Sequence, residues 1–250
     1  MPAPANAKEA AKAAKQAVKV GNYAKAGEYF EQAEKYNKAI EAYTDGKAFA
    51  KAARVYYKHF NDPEKALQVL RQYKLFCQAG NLMLEMGDIL EAAKFFKQGG
   101  KQQTAAETFE KAGEFQEAAD LYKDLKRHQD AARCYAKVGA FLPAGEMYEI
   151  LFNQFHSAVK GAPGPQDRPK YEDLAKKAGY NLKQAGEVLR AADILLKAKL
   201  DKYAAELYAS SGELKKAADL FAEAGETRRA AELYNKMGDK QSAAELMAQA

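Results

Sequence analysis

Cysteine is nearly absent from this 250-residue chain. Cys77 and Cys134 stand far apart, without a Cys-x-x-Cys spacing or a histidine partner, so neither a disulfide framework nor a zinc site is indicated. Two reduced thiols are the reading that remains, and they fit a cytoplasmic protein. The opening Met1-Pro2-Ala3-Pro4-Ala5 has no apolar stretch behind a basic flank and is not a secretory signal. No run approaches the roughly 18 apolar residues of a membrane span. Valine, isoleucine and threonine are scarce, and no alternating β-branched run is long enough for a strand. Histidine occurs three times, at His59, His128 and His156, and no HExxH is present. Gly99-Gly100-Lys101 lacks the earlier glycine of a phosphate loop. Ser157-Ala-Val-Lys160 matches SxxK, but its usual companions are missing and lysine is common, so the match carries little weight. No catalytic residue, no cofactor and no metal site is expected, and the chain is read as not an enzyme.

Alanine, lysine, glutamate and leucine are abundant. They are good helix formers, because their side chains lose little rotamer freedom in a helix. A net charge of +5 is mild and does not by itself imply a nucleic-acid partner. The dominant feature is an internal repeat. Gly113-Glu-Phe-Gln-Glu-Ala118-Ala119-Asp-Leu-Tyr122 returns as Gly212-Glu-Leu-Lys-Lys-Ala217-Ala218-Asp-Leu-Phe221 and as Gly225-Glu-Thr-Arg-Arg-Ala230-Ala231-Glu-Leu-Tyr234. The step from Gly212 to Gly225 is one thirteen-residue unit, and eighteen units follow one another from residue 8. One extra residue falls near His59-Phe60 and eight fall around Gly161 to Arg168.

Each position of the unit has a physical role. Positions 3, 6, 7 and 10 form the i, i+3, i+4, i+7 stripe of an amphipathic helix. Positions 6 and 7 are small and position 10 is usually aromatic, so a neighbouring helix can come close beside a ring. Gly27, Gly80, Gly145 and Gly179 replace alanine at position 7 and are read as close crossings. Position 1 is glycine in nine units, which suits the left-handed residue that ends a helix. Asn22, Asp88 and Asp239 then cap the next helix. Each unit is one helix of about ten residues, too short to stand alone. The expected fold is therefore all-α: an α-solenoid of about eighteen short antiparallel helices in 26-residue hairpins.

This Ala-Gly-x-aromatic-x-x-Ala-Ala-x-Leu-Tyr run resembles tetratricopeptide-like α-solenoids, most of all the short-helix arrays of intraflagellar-transport and coatomer subunits. The resemblance covers about residues 8–250. It implies a scaffold or adaptor with no shared catalytic residues. The hairpin here is two units long, shorter than the roughly 34 residues of the true tetratricopeptide repeat. The peptide-carboxylate clamp of that repeat is not carried over.

Residues 1–7 read as a disordered tail, 8–160 as a first repeat block, 161–172 as a Pro/Gly loop and 173–250 as a second block continuous with the first. Position 5 is basic in five successive units, at Lys12, Lys25, Lys38, Lys51 and Lys65, while position 8 is commonly acidic. Positions 5 and 8 are expected to pair as i, i+3 neighbours on a wet face. Because alternate helices point in opposite directions, a basic binding face would hold Lys12, Lys38 and Lys65, or else Lys25 and Lys51. Phe152 and Phe155 occupy positions that are usually polar, and they mark the loop region as a second candidate contact. The expected function is binding of protein partners along one helical-repeat face, in trafficking or complex assembly. Binding a phosphate backbone through the N-terminal basic units is the alternative, disfavoured because no base-reading residue recurs at a fixed position.

Overall fold

The computed structural model describes residues 6–248. Most of the expected leading tail, residues 1–5, lies outside the described residues. Asn6 and Ala7 open the first helix, and the Asn6 side chain accepts the Glu9 backbone N–H at 2.9 Å. Among the described residues there are seventeen helices and no strand. They fall into two compact modules, Met1–Ala112 and Gly113–Ala250. The first holds α1 (Ala7–Lys19), α2 (Tyr23–Gln32), α3 (Tyr36–Asp45), α4 (Phe49–Phe60), α5 (Pro63–Gln72), α6 (Phe76–Glu85), α7 (Ile89–Gln98) and α8 (Gln102–Ala112). The second holds α9 (Phe115–Asp124), α10 (His128–Lys137), α11 (Phe141–Ala158), α12 (Arg168–Gln184), α13 (Val188–Lys197), α14 (Asp201–Ser210), α15 (Leu214–Glu223), α16 (Thr227–Lys236) and α17 (Lys240–Ala248). Within each module every helix packs on the next in chain order, the arrangement of an α-solenoid.

One turn geometry makes the repeat. At the turns between regular units the residue at position 1 has positive φ, from Gly21 at 74° to Gly238 at 86°. The next N–H then reaches back over the last turn of the ending helix, as in Asn22 to Ala17, Arg127 to Tyr122 and Glu226 to Phe221, at 2.8–2.9 Å. This closes the exposed carbonyls of that helix while the same residue starts the next one. Lys47, Lys74, Lys126, Lys199 and Glu34 hold the same left-handed conformation without being glycine. A left-handed residue with a Cβ costs about 1–2 kcal/mol, partly offset by the smaller entropy it loses on folding. Lys126→Gly should therefore stabilise the second module by roughly 0.5–1 kcal/mol. The check is a urea unfolding curve with an unchanged slope and a raised midpoint.

The core is built from the small and aromatic positions. Ala118, Ala119, Ala131, Ala132, Ala217 and Ala218 have no exposed surface. The ring at position 10 lies against position 7 of the preceding helix. A Cβ on Gly80 would sit 2.9 Å from Phe96 Cε1, and one on Gly27 would strike the Tyr43 ring. The glycines at position 7 are thus seats for the next helix's position-10 side chain.

Seventeen helices appear where about eighteen were expected, because the twelfth unit does not form its own. Phe152 stands at the position where other units turn, and it continues the helix. As a result α11 runs 18 residues. After Lys160 and Gly161, at φ 52° and 72°, the chain crosses Pro163 and Pro165 and re-enters a helix at Arg168-Pro169. Pro169 sits in the first turn, where its missing N–H leaves no bond unmade. Helix α12 then takes the next place in the stack: a Cβ on Gly145 would meet Leu182 Cγ at 2.8 Å.

Candidate partner-binding surface

The charged positions are organised by the spacing between alternate helices. Position 5 of one helix reaches position 8 of the helix two before it, a sequence separation of 23. Lys51 Nζ is 2.8 Å from Glu28 Oε1, Lys216 Nζ is 3.5 Å from Asp193 Oδ1, and Arg229 Nη1 is 3.0 Å from Glu206 Oε1. The position-10 tyrosines add a second link, across a separation of 15. Tyr135 donates to Asp120 at 2.6 Å, and Tyr208 and Tyr234 donate to Asp193 and Asp219. Asp193 receives both a tyrosine and a lysine.

The two candidate sets of lysines, Lys25 with Lys51 and Lys12 with Lys38 and Lys65, have different surroundings. Lys25 and Lys51 do lie together, yet both bond the same carboxylate, Glu28, at 2.8 Å. Hydrogen bonds from both ammonium groups hold the Glu28 carboxyl below its ordinary range, and the Glu28 bond holds Lys25 above its own. Lys65 pairs with Asp62, the residue that caps its own helix, at 2.9 Å. The backbone N–H of Lys65 is the leading cause that lowers the Asp62 carboxyl. Lys38 instead joins Lys15 and Lys19 in a cleft between α1 and α3, together with Glu41 and Asp45. Lys12 is exposed on α1.

Phe152 is fully buried, 5.0 Å from the Tyr171 ring, and has no surface to offer a partner. Phe155 is half-buried, with Lys170 Nζ 4.9 Å from its ring centre. Beside them His156 Nδ1 lies 2.5 Å from the Tyr171 hydroxyl, which donates to the Lys197 carbonyl at 3.2 Å. Burial, then the nearby Lys197 ammonium, pushes His156 down from its ordinary range. These contacts tie the base of the Pro/Gly loop to α12 and α13.

The tyrosine and carboxylate links give the protein two pH limits. Burial first, then the carboxylate neighbour, pushes the Tyr135 and Tyr208 hydroxyls up, and the Asp219 hydrogen bond pushes Tyr234 up to about 12. A group raised in the folded state stabilises fully below its ordinary value of 10.0 and loses that contribution as pH rises through the shifted one. Glu28 is lowered, so its contribution is present above its ordinary 4.5 and fades as pH falls below it. Stability should be flat from about neutral pH up to the alkaline limit, ease as pH falls through the ordinary 6.5 of His156, and fall further below the Glu28 limit. Urea midpoints across pH 3–12 check this, and Tyr135→Phe should flatten the alkaline limb.

Among the described residues no group of three or more His, Cys, Asp or Glu side chains could hold a metal ion. No described helix is long and apolar enough to cross a membrane. Further clefts among the described residues lie between α4 and α6 near Arg54 and Tyr57 and on either side of Tyr180 on α12. Sequence alone does not single out these clefts.

Paired ladders over short stacked helices with shallow clefts between them define a helical-repeat protein. Residues 4–161 match the family described as soluble NSF attachment protein, SNAP, and the chain belongs to that family. This is a tetratricopeptide-like repeat family, as the repeat implied. No curated protein matches the sequence. Among solved structures, a monomeric mutant of IFIT1 with m7Gppp-AAAA is 16% identical, with 96% of this chain and 75% of that chain covered and a TM-score of 0.30. BtubC from P. vanneervenii is 14% identical over 98% and 87% of the two chains, with a TM-score of 0.25. A circular tandem repeat protein is 16% identical over 96% and 55%, with a TM-score of 0.23.

Proposed function

We propose that this chain is a non-catalytic adaptor of the cytoplasm that holds protein partners on its helix faces. The family's description names attachment to NSF, and attachment of one protein to another is the activity that this repeat surface suits. The supporting observation is the surface itself: clefts between alternate helices, bordered by ion-paired side chains such as Arg54 and Glu206 and by Tyr57, Tyr180 and Tyr203. A protein segment laid across them gains apolar area and register without any induced chemistry.

A nucleic-acid reading has one observation in its favour, the Lys15, Lys19 and Lys38 cleft of the first module. Glu41 and Asp45 in the same cleft offset most of that charge. The deciding experiment is affinity capture from lysate of the source organism, with and without nuclease, read by mass spectrometry. Stoichiometric protein that survives nuclease supports the adaptor. Loss of all bound protein on nuclease treatment overturns it.

A further inference from the structure

One rung between alternate helices is aromatic. Between α12 and α14 the positions that carry an acid and a base in the ion-paired rungs are Tyr180 and Tyr203. Both rings are more than half exposed, at 59% and 53%. A solenoid gains nothing in stability from leaving two large rings in water where an ion pair fits.

The residue next to Tyr180 breaks a second rule. Position 9 is apolar in most units, as at Leu82, Phe95, Leu121, Ile194 and Leu207. Here it is Asn181, 4% exposed. Its Nδ2 donates to the Lys177 carbonyl at 2.8 Å, which fixes the amide orientation. Its Oδ1 has no hydrogen-bond partner among the described residues. Thr108, another buried polar residue at position 9, satisfies its hydroxyl on the Thr104 carbonyl at 2.6 Å. An unmatched buried amide oxygen gives up its hydration with nothing in return. Local rules broken together, without a compensating contact, mark a functional site.

Two clefts flank this rung, of about 340 and 480 Å³, and both are bordered by Lys176 and Tyr180. Lys176, Tyr180 and Lys183 lie on one face of α12, spanning about 10 Å of helix. Lys176 Nζ sits 5.6 Å from the Tyr203 ring centre. Its own acid, Glu172 at 3.5 Å, is shared with Arg168. The acid on the first cleft's border, Glu206, is held by Arg229 at 3.0 Å. That cleft is left with Lys176, Lys183 and the two rings, and Asn181 borders the second cleft on the other side of Tyr180.

We propose that this rung is a docking site for an extended acidic peptide segment of a partner protein. The site's net positive charge selects carboxylate side chains, delivered to Lys176 and Lys183. Tyr180 and Tyr203 pack an apolar or aromatic side chain of the segment. An extended segment pressed into the second cleft uncovers the buried Asn181 amide and brings a backbone N–H to the Oδ1 that lacks a donor. This reading rests on the adaptor function, and it places the contact outside residues 4–161, the part that matches the family.

The test uses phage-displayed random twelve-residue peptides panned on the intact chain. Two variants accompany it. Tyr180→Glu with Tyr203→Lys installs the ion pair found at Glu28–Lys51, Asp193–Lys216 and Glu206–Arg229, and Asn181→Leu restores the apolar position 9. Both should melt at or above the wild-type temperature, so lost binding cannot be ascribed to unfolding. The expected result is enrichment of peptides with Asp or Glu beside an aromatic or aliphatic residue. They should bind the double variant at least tenfold more weakly and Asn181→Leu several-fold more weakly. No enrichment over the double variant, or equal binding to it, overturns the proposal. A random single-stranded RNA bound with the same tyrosine dependence overturns it too, and assigns the rung to nucleic acid. If the captured partner stays on the double variant, the rung fails and the adaptor reading stands. If the captured proteins vanish with nuclease, the adaptor reading fails first.

Discussion

Tyr43→Ala should destabilise the first module by about 3–5 kcal/mol. The Tyr43 side chain is fully buried, its ring lies on Gly27, and its hydroxyl donates to Glu31. Truncation opens a cavity that α2 and α3 cannot refill, because Ala26, Ala39 and Ala52 around it are already at full burial. It also removes one of three partners of Glu31, leaving Arg54 at 3.4 Å and His59 at 3.6 Å. Tyr43→Phe keeps the ring and should cost only about 1 kcal/mol. Because each repeat touches only its neighbours, the loss should appear first as local opening around α2 and α3. Hydrogen exchange by mass spectrometry checks this: amides of 23–45 should exchange early while those of the second module keep their protection.

The second large effect separates two glycines that look alike in sequence. Gly145→Ala should destabilise by about 1–3 kcal/mol, while Gly179→Ala should be close to neutral. A Cβ on Gly145 would lie 3.0 Å from the Leu182 backbone nitrogen as well as 2.8 Å from Leu182 Cγ. A side chain can turn aside, but a backbone inside a packed helix cannot, so α11 and α12 must separate. The three atoms nearest a Cβ on Gly179 all belong to the Leu195 side chain, at 3.2–3.4 Å. There the small overlap is offset by the roughly 1 kcal/mol that alanine gains over glycine in a helix. Chemical denaturation of the two single variants gives the comparison.

Most of the fold was legible because the turn repeats its chemistry. Nine glycines at position 1 revealed the period, whereas the left-handed conformation of the lysines and Glu34 at the same position emerged only from the structure. The helix count differed at one unit for a local reason: Phe152 stands where a turn residue is needed, so helix continued through it and carried it into the core. Its break from the polar pattern was visible in sequence, but its direction was not. The charged positions were half legible. Lys25 and Glu28 pair as i, i+3 neighbours. The pairs at Lys51, Lys216 and Arg229 run back to the helix two before their own. That reach is set by how alternate helices stack and not by one helix's own geometry. The Tyr180, Asn181 and Tyr203 cluster was open to sequence reasoning as departures at positions 8, 9 and 5. It gains meaning only once the ladder shows that positions 8 and 5 face each other.

If the array holds another protein, sedimentation velocity of the purified, nuclease-treated complex should show one faster-sedimenting species with a fixed ratio of the two proteins. Complete dissociation into free chain once nucleic acid is digested would contradict it.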